Sequence, residues 1–444
     1  MQKKNFENKK FFSFDRSYSA EVLINQPDKY REIENLSNFS EKIISTGANL
    51  SYSPLSFGKD NLSILLKKFN RIVNFDLKKK EITVEAGMTF GELLNFTLKH
   101  NLWIPQIPGY PLITLGGAIA TNAHGKSCAV DGTIRNSVKS ILLYHKNNGW
   151  LNLSSVENNE IFELTIGGLG LTGTIINITF KLEEIKNFNF LTYRNKVNSL
   201  EECVEKITEK SLSDNSYIYS WNMAENIKKL GSGIIFENVP DISSKTELLE
   251  IPVVRKKNYI KPFIPIWNKF SIKLANYLFF ILNTRSIISK NENFLNVFFP
   301  FFGKEYYFLF FGNKGFIESQ LLIPKNKINI FFDEFRYQFK IHKPSITLLS
   351  FKNMKGSQEL LRFEDNKICL TIDYINNRNS KNFMREVDLM CEKYEILPSI
   401  IKDSRIPKST FEKCYKNLNL FKDKLNRFDK DRSYSSSASQ RLEI

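Results

Sequence analysis

Three glycine-dense segments stand in fixed order within the first 185 residues, and they restrict what this 444-residue chain can fold into. The first is Gly47-Ala-Asn-Leu-Ser-Tyr-Ser53. The second runs from Ile107 to Lys126 around Gly116-Gly117. The third is Gly167-Gly-Leu-Gly-Leu-Thr-Gly173. Small residues beside glycine let a backbone come close to a flat or phosphorylated ligand, because no side chain intervenes. A helix starting in the second segment would also turn free N–H groups toward an anion. Tight packing explains any one segment as well as ligand binding does. None of the three is a GxGxxG fingerprint, and the second is not a Walker loop closed by GK[ST]. Their order and spacing together are more specific than any one.

Local patterning around them alternates strands and helices. Ile72–Phe75 and Glu81–Glu85 read as strands about a turn at 76–80, and Thr89–His100 reads as a helix with Thr89 and Glu92 at capping-box spacing. Ser140–His145 and Trp150–Leu153 form a predicted hairpin around Asn147-Asn148-Gly149. Thr174–Leu182 is a β-branched strand candidate. Beyond Glu184 glycine becomes sparse, aromatic and lysine residues dominate, and helical periodicity returns at Ser380–Glu395. The serine-rich tail Arg432–Ser439 has the composition of a disordered end. No internal repeat is present.

Charge and cysteine usage narrow the function classes. The net charge of +16 suits anionic partners such as phosphorylated ligands, acidic lipid or nucleic acid, although lysine is abundant along the whole chain. No nucleic-acid motif or regular basic stripe accompanies it, so nucleic acid is not an expected partner. Five cysteines without CxxC spacing fit a reducing, cytoplasmic compartment. Four histidines without an HExxH pattern give no expectation of a metal site. The residues from Met1 to Phe14 lack a secretory pattern, and the apolar run Leu274–Leu282 is too short to span a bilayer. A soluble or peripheral membrane protein is expected.

The order of the glycine segments resembles the PCMH-type FAD-binding domain of the vanillyl-alcohol oxidase superfamily, and in particular its decaprenylphosphoryl-ribose oxidase group. Leu115–Lys126 is similar to that group's xGGAIxxxxHGK segment, and Gly167–Gly173 to its GGxGLTG segment. Lys402-Asp-Ser-Arg405 matches a KDSR motif, and Ser435–Leu442 resembles the closing segment, which would order the serine-rich tail against the cofactor. The resemblance implies an α+β fold of two domains. An FAD-binding domain would comprise residues 1–185, completed by 396–444. A substrate domain of antiparallel sheet flanked by helices would occupy 186–395.

It also implies a site. The first segment, Gly47, Ala48, Asn49, Leu50, Ser51 and Tyr52, would cradle the pyrophosphate and flavin. Gly109, Thr114, Gly116, Gly117, Ala118, Asn122, His124 and Gly125 would pass along the flavin. Gly168, Gly170, Thr172, Gly173 and Ile175 would hold the adenosine side. Lys402 and His124 are the expected catalytic groups, with Lys402 also near the cofactor. Gln320, Lys352, Cys369 and Lys126 are expected to meet substrate. Ala48-Asn49-Leu50 offers no histidine for covalent attachment and Cys128 is a poor match to an attachment cysteine, so FAD should be non-covalent.

The implied reaction is oxidation of a secondary hydroxyl on a polyprenyl-phosphate-linked pentose, the 2-hydroxyl becoming a ketone, with a separate NAD(P)H-dependent reductase completing an epimerisation. Such chemistry belongs to cell-envelope glycan synthesis at the inner face of the plasma membrane. Aromatics interleaved with Lys261, Lys269, Lys273, Arg285 and Lys290 between Tyr259 and Phe302 suit contact with anionic lipid. A core with snorkelling lysines fits the same pattern. Two departures, Lys367 where the group has asparagine and Ser399 where it has an aromatic residue, bear on the sugar more than on the flavin. An aldonolactone or alditol oxidase acting on a soluble sugar is the alternative enzyme. A degenerate, non-catalytic membrane-associated binding protein is the alternative from another class.

Overall fold

In the computed structural model, which describes residues 6–185, 187–210, 216–241, 243, 250–254, 264–284 and 292–444, local sequence signals set the first strands and helices. The first sheet contains β1 (Glu7–Phe12), β2 (Ser19–Asn25), β3 (Ile43–Thr46) and β4 (Leu62–Leu65), in the order β1-β2-β4-β3. A second sheet, ordered β5-β6-β10-β8-β9, is built from β5 (Ile72–Asp76), β6 (Glu81–Glu85), β8 (Val138–His145), β9 (Gly149–Ser154) and β10 (Thr174–Lys181). A small pair joins β7 (Leu102–Trp103) to β11 (Glu183–Glu184). The expected turn closes β5 onto β6, and the expected hairpin closes β8 onto β9.

The helix Phe90–Thr97 starts on the anticipated capping box. The Thr89 hydroxyl accepts the Glu92 amide at 3.2 Å, and the Glu92 carboxylate accepts the Thr89 amide at 2.7 Å. Its apolar face packs with Ile82, Val84, Ile178 and Phe180 in the core over the second sheet.

The larger third sheet contains β12 (Asn189–Val197), β13 (Tyr217–Asn222), β14 (Gly233–Pro240), β15 (Glu292–Asn293), β16 (Phe316–Ile323), β17 (Ile346–Asn353), β18 (Ile368–Ile375) and β19 (Leu397–Pro398). Their order is β15-β12-β14-β13-β17-β18-β16-β19, and the pairs are antiparallel. Helices Leu200–Lys210, Ile328–His342 and Arg378–Tyr394 cover one face through Ile207, Phe331, Phe335 and Met384. The opposite face is free to line a cavity. The fold is therefore α+β, with an antiparallel sheet flanked by helices.

The chain end returns to the first sheet. Ile43 bridges Tyr434, and the Ser435 amide bonds to the Ile43 carbonyl at 3.1 Å. Ser436 and Ser439 form a reciprocal capping box that starts the helix Ser437–Leu442, whose Ala438 amide reaches Pro54. The serine content that suggests disorder thus supplies caps and β-like pairing instead. The aromatic and basic residues at Tyr259, Lys261, Arg285 and Lys290 lie outside the described residues.

A buried arginine ties the third glycine segment to the loop before β18. Arg362, 1% exposed, meets Glu163 at 2.9 Å, Glu364 at 3.2 Å, and Glu359. Gly167 adopts φ +79°, and a Cβ there would stand 2.7 Å from Arg362 Cγ, so a larger residue is doubly excluded. Removing one partner of a buried ion pair leaves uncompensated charge. Arg362→Leu is therefore expected to cost about 3 kcal/mol, measured by urea unfolding. A loss near the ~0.5 kcal/mol of a surface change would refute the clamp.

Candidate active site

Backbone geometry divides the glycines into two kinds. Some permit close packing. A Cβ on Gly47 would sit 2.0 Å from the Thr114 hydroxyl, on Gly116 2.8 Å from Ala86, and on Gly125 1.9 Å from the Ile107 carbonyl. Others face open space: a Cβ on Gly109 would meet nothing within 4 Å, and one on Gly117 only the Thr114 hydroxyl at 3.1 Å. Both kinds border a cavity of about 950 Å³ that runs from the glycine segments to the exposed face of the third sheet.

The second segment departs from the expected anion site. Its helix, Leu115–Ala120, is only six residues long, and Thr114 gives it no side-chain cap. The Leu115 and Gly116 amides are used by the carbonyls of Met88 and Ala86, both at 2.8 Å. Few N–H groups remain to greet a phosphate, so the glycines act through closeness of approach.

Most of the anticipated residues border one space. Gly47 to Tyr52, Gly109, Thr114, Gly116, Gly117, Asn122, His124, Gly125, Gly170, Gly173 and Ile175 line it, as do Lys126, Gln320, Lys352 and Lys402. Ala118, Gly168, Thr172 and Cys369 do not. Ala118 is packed in the core over the second sheet. Gly168 backs onto the Leu164 carbonyl, where a Cβ would clash at 2.1 Å. Thr172 spends its hydroxyl on Thr165 at 2.9 Å. Cys369 is buried with Leu322 and Met354 beyond the cavity wall, and burial pushes its thiol up to about 12. It is a core residue, not a pocket thiol.

Of the KDSR segment, only the lysine lines the cavity. Arg405 makes a two-pronged bond to Asp388 at 2.6 and 2.8 Å and a third bond to Asp403 at 2.8 Å. Asp403 also accepts the Ser319 hydroxyl, and Ser404 bonds Asp15. The Ser399 amide is fixed to the Gln320 carbonyl and the Ile401 carbonyl to the Ser53 amide. Lys402 is thereby presented to the cavity, 3.2 Å from Glu318 and 3.7 Å above the Tyr52 ring.

His124 sits in a second cluster. Its Nδ1 lies 2.9 Å from Lys352 Nζ and its Nε2 3.3 Å from Gln320 Oε1. Burial, followed by the charge of Lys352, holds the imidazole well below its ordinary pKa. A neutral ring that accepts from Lys352 at Nδ1 must present Nε2–H to Gln320. Lys126 bonds the Val297 carbonyl and lies over the Tyr219 ring at 3.8 Å. Burial, then Lys352 and Lys304, push this amine well down. The ring contact favours the charged form and burial opposes it, so a bound anion would decide in favour of charge.

Among the lining groups that escaped sequence reading are Lys304, Tyr307, Glu318 and Asp373. Glu318 lies two places before Gln320 on β16, and Asp373 four after Cys369 on β18. Period-two alternation assigns each to the face of the residue already singled out. Tyr307 had no such signal. Ser51 Oγ and Asn122 Oδ1 are buried beside the cavity without a hydrogen-bond partner. Unmet polar atoms, open glycine backbone and a space of this size fit a large polar, planar cofactor.

Comparison with known proteins identifies that cofactor. The family described as FAD binding domain matches residues 23–154. The chain is also similar to decaprenylphosphoryl-beta-D-ribose oxidase of Mycolicibacterium smegmatis, with 24% identity over 90% of this chain and 89% of the relative. The chain is an FAD-dependent oxidoreductase with a PCMH-type FAD-binding domain. L-galactono-1,4-lactone dehydrogenase 2, mitochondrial, of Oryza sativa subsp. japonica is 29% identical over 40% of this chain and 30% of its own. L-gulonolactone oxidase of Bos taurus is 26% identical over 40% and 41%. These two share less than half their length with this oxidoreductase.

Among the described residues lining the cavity there is no cysteine, and both His124 nitrogens are engaged. Purified protein is expected to be yellow and to release its flavin into the supernatant on acid precipitation. Colour retained in the pellet would reveal a covalent link and contradict this reading.

Proposed function

We propose that this oxidoreductase oxidises the 2-hydroxyl of a pentose carried on a polyprenyl phosphate to a ketone. One observation carries the reading: a lysine cluster and an aromatic channel open into the same cavity. Lys126, Lys304 and Lys352 line it together and repel one another, an arrangement that an anionic phosphate relieves. Beside them Trp221, Phe236, Trp267, Phe279 and Val297 supply an apolar wall suited to a lipid chain. The full-length similarity to a decaprenylphosphoryl-ribose oxidase supports the same substrate class. The lactone-acting relatives are similar over about 40% of the chain, so they bear less on substrate.

FAD, when bound, supplies the hydride acceptor. Ala48 to Tyr52, Thr114, Gly116, Gly117, Asn122, Gly170, Gly173 and Ile175 are the lining residues that would hold it. Lys402, whose motif neighbours are anchored, would offer an ammonium to the negative charge that develops on oxidation. His124 is a neutral donor braced by Lys352 and Gln320, so it orients rather than abstracts. Lys126 and Lys352 would meet the phosphate, and Gln320, held by Thr371 at 3.1 Å, would meet the sugar. An NAD(P)H-dependent reductase would consume the ketone.

The helix Lys269–Thr284 roofs the cavity with Ile272, Ala275, Asn276 and Phe279. Its outer stripe is apolar and exposed: Phe270, Leu274, Tyr277, Leu278 and Leu282. Lys269 and Lys273 flank the stripe. Such a face suits peripheral docking on anionic lipid at the cytoplasmic side of the membrane. No helix among the described residues is long and apolar enough to cross a membrane.

A short-chain polyprenyl-phosphoryl ribofuranoside should bleach the flavin absorbance under anaerobic mixing. Bleaching by free aldonolactones alone would overturn the lipid-sugar reading. Lys402→Ala should retain FAD and lose about 10²–10³ in kcat; normal turnover would remove Lys402 from the chemistry. Vesicles rich in anionic lipid should bind the protein in a salt-sensitive way, and Leu278→Asp should weaken that binding. Equal binding to neutral vesicles at high salt would count against the basic contribution.

A further inference from the structure

Two carboxyls stand directly opposite each other in the wall of the cavity. Glu318 on β16 and Asp373 on β18 are register partners, so their side chains share one face of the sheet. They are 4% and 2% exposed, respectively. Like charges directly across a sheet repel, and burial strengthens the repulsion. One nearby cation, Lys402, reaches Glu318 at 3.2 Å. Two buried carboxylates and one ammonium would leave a net negative charge, which a single retained proton removes.

The groups around the pair fit that count. Tyr307, from the helix Tyr306–Leu309, donates to Asp373 Oδ2 at 2.8 Å, with the Thr347 hydroxyl of β17 2.7 Å away. Tyr52 comes from the first glycine segment and lies under Lys402. Burial, then Glu318, pushes the Asp373 carboxyl well above its ordinary range. Burial also raises Tyr52 and Tyr307, so neither phenol is ready to ionise.

We propose that Glu318 and Asp373 form a carboxyl pair that retains one proton and accepts the hydroxyl proton of the substrate during oxidation. The proposal rests on the alcohol-oxidising reading above, and it adds the proton acceptor which that chemistry requires. When the carbinol C–H bond breaks, its hydrogen would leave with both electrons as hydride, for which bound FAD would be the two-electron acceptor. The O–H bond breaks, its electron pair forms the C=O bond, and its proton passes to the Glu318 carboxylate. Both acids are then neutral, and the Lys402 ammonium is released from Glu318 to balance charge elsewhere in the cavity.

Other lining groups serve less well. His124 has both nitrogens engaged. Lys126 donates to Val297, and Lys352 to His124 and Gly125. Glu292, the remaining lining glutamate among the described residues, is paired with Arg194 at 3.3 Å. Glu318 is the carboxylate beside Lys402.

The test uses the FAD-loaded full chain. The infrared difference between wild type and Asp373→Asn at neutral pH should contain the carbonyl band of a neutral carboxylic acid, shifted in heavy water. Its absence would overturn the shared proton, whatever the substrate. Glu318→Gln should bind FAD normally and lose about 10²-fold in kcat with the short-chain polyprenyl-phosphoryl ribofuranoside, with little change in KM. Glu318→Asp, which keeps a carboxylate at that position, should restore part of the loss. Wild-type kcat in Glu318→Gln would overturn the acceptor role. Should the ribofuranoside fail to reduce wild-type flavin, the lipid-sugar reading falls. The same kinetics with L-gulono-1,4-lactone then decide the acceptor role, and failure of that donor too would overturn it.

Discussion

The geometry of the site depends on the ionic knot around Arg405. Its guanidinium is held, partly buried, between Asp388 on the long helix Arg378–Tyr394 and Asp403 in its own loop. Burial alone would lower its pKa, yet the two carboxylates hold it above the ordinary value. An exposed pair of this kind would contribute little, but a partly buried, two-pronged one fixes direction as well as charge. Through it, the third sheet dictates where the loop after β19 passes. Ser404 and Asp15 then attach that loop to the N-terminal strands. Lys402 has a defined position because its three motif neighbours are anchored, which leaves its side chain to meet Glu318 and the Tyr52 ring.

The same economy explains the distribution of buried polar groups. β16 is buried along its whole length, yet it carries Glu318, Ser319 and Gln320 at its centre. A strand buried on both faces normally excludes such residues, because desolvation costs more than packing returns. Here each has an assigned partner: Lys402 for Glu318, Asp403 for Ser319, and Thr371 and His124 for Gln320. The strand thus trades some stability for a polar wall whose side chains have few alternative orientations. That rigidity is what a hydride transfer between large partners needs, since small misplacements cost rate steeply.

Much of this was legible in the sequence, and for identifiable reasons. The capping box at Thr89 and Glu92 and the β5–β6 and β8–β9 hairpins are local, so their signals sit within a few residues. Lys402 was legible through its motif, although the motif does not reveal that Asp403, Ser404 and Arg405 serve as anchors. Cys369 was misplaced because strand alternation gives a face but not a depth, and the cavity ends before that residue. Asp373 was missed for the complementary reason: it shares that face and lies deeper into the cavity. Arg362 was invisible, since its carboxylate partners Glu163, Glu359 and Glu364 meet only after the glycine loop and the third sheet have docked.

The cavity is electrostatically unfinished as the polypeptide alone builds it. At one end Lys352 stands close enough to Lys126 to oppose its charge, and among the described residues no salt bridge joins a carboxylate to either. At the other, two opposed carboxyls share one ammonium. Each arrangement opposes folding: an anion would relieve the lysine end, and the one proton that the pair is proposed to retain relieves the carboxyl end. On the proposed function, the phosphate of the substrate would answer the first and its hydroxyl would face the second. On that reading, a ligand lacking the phosphate would leave the lysine end uncompensated. His124 and Gln320, which join the two ends, would then set the spacing between phosphate and reacting carbon.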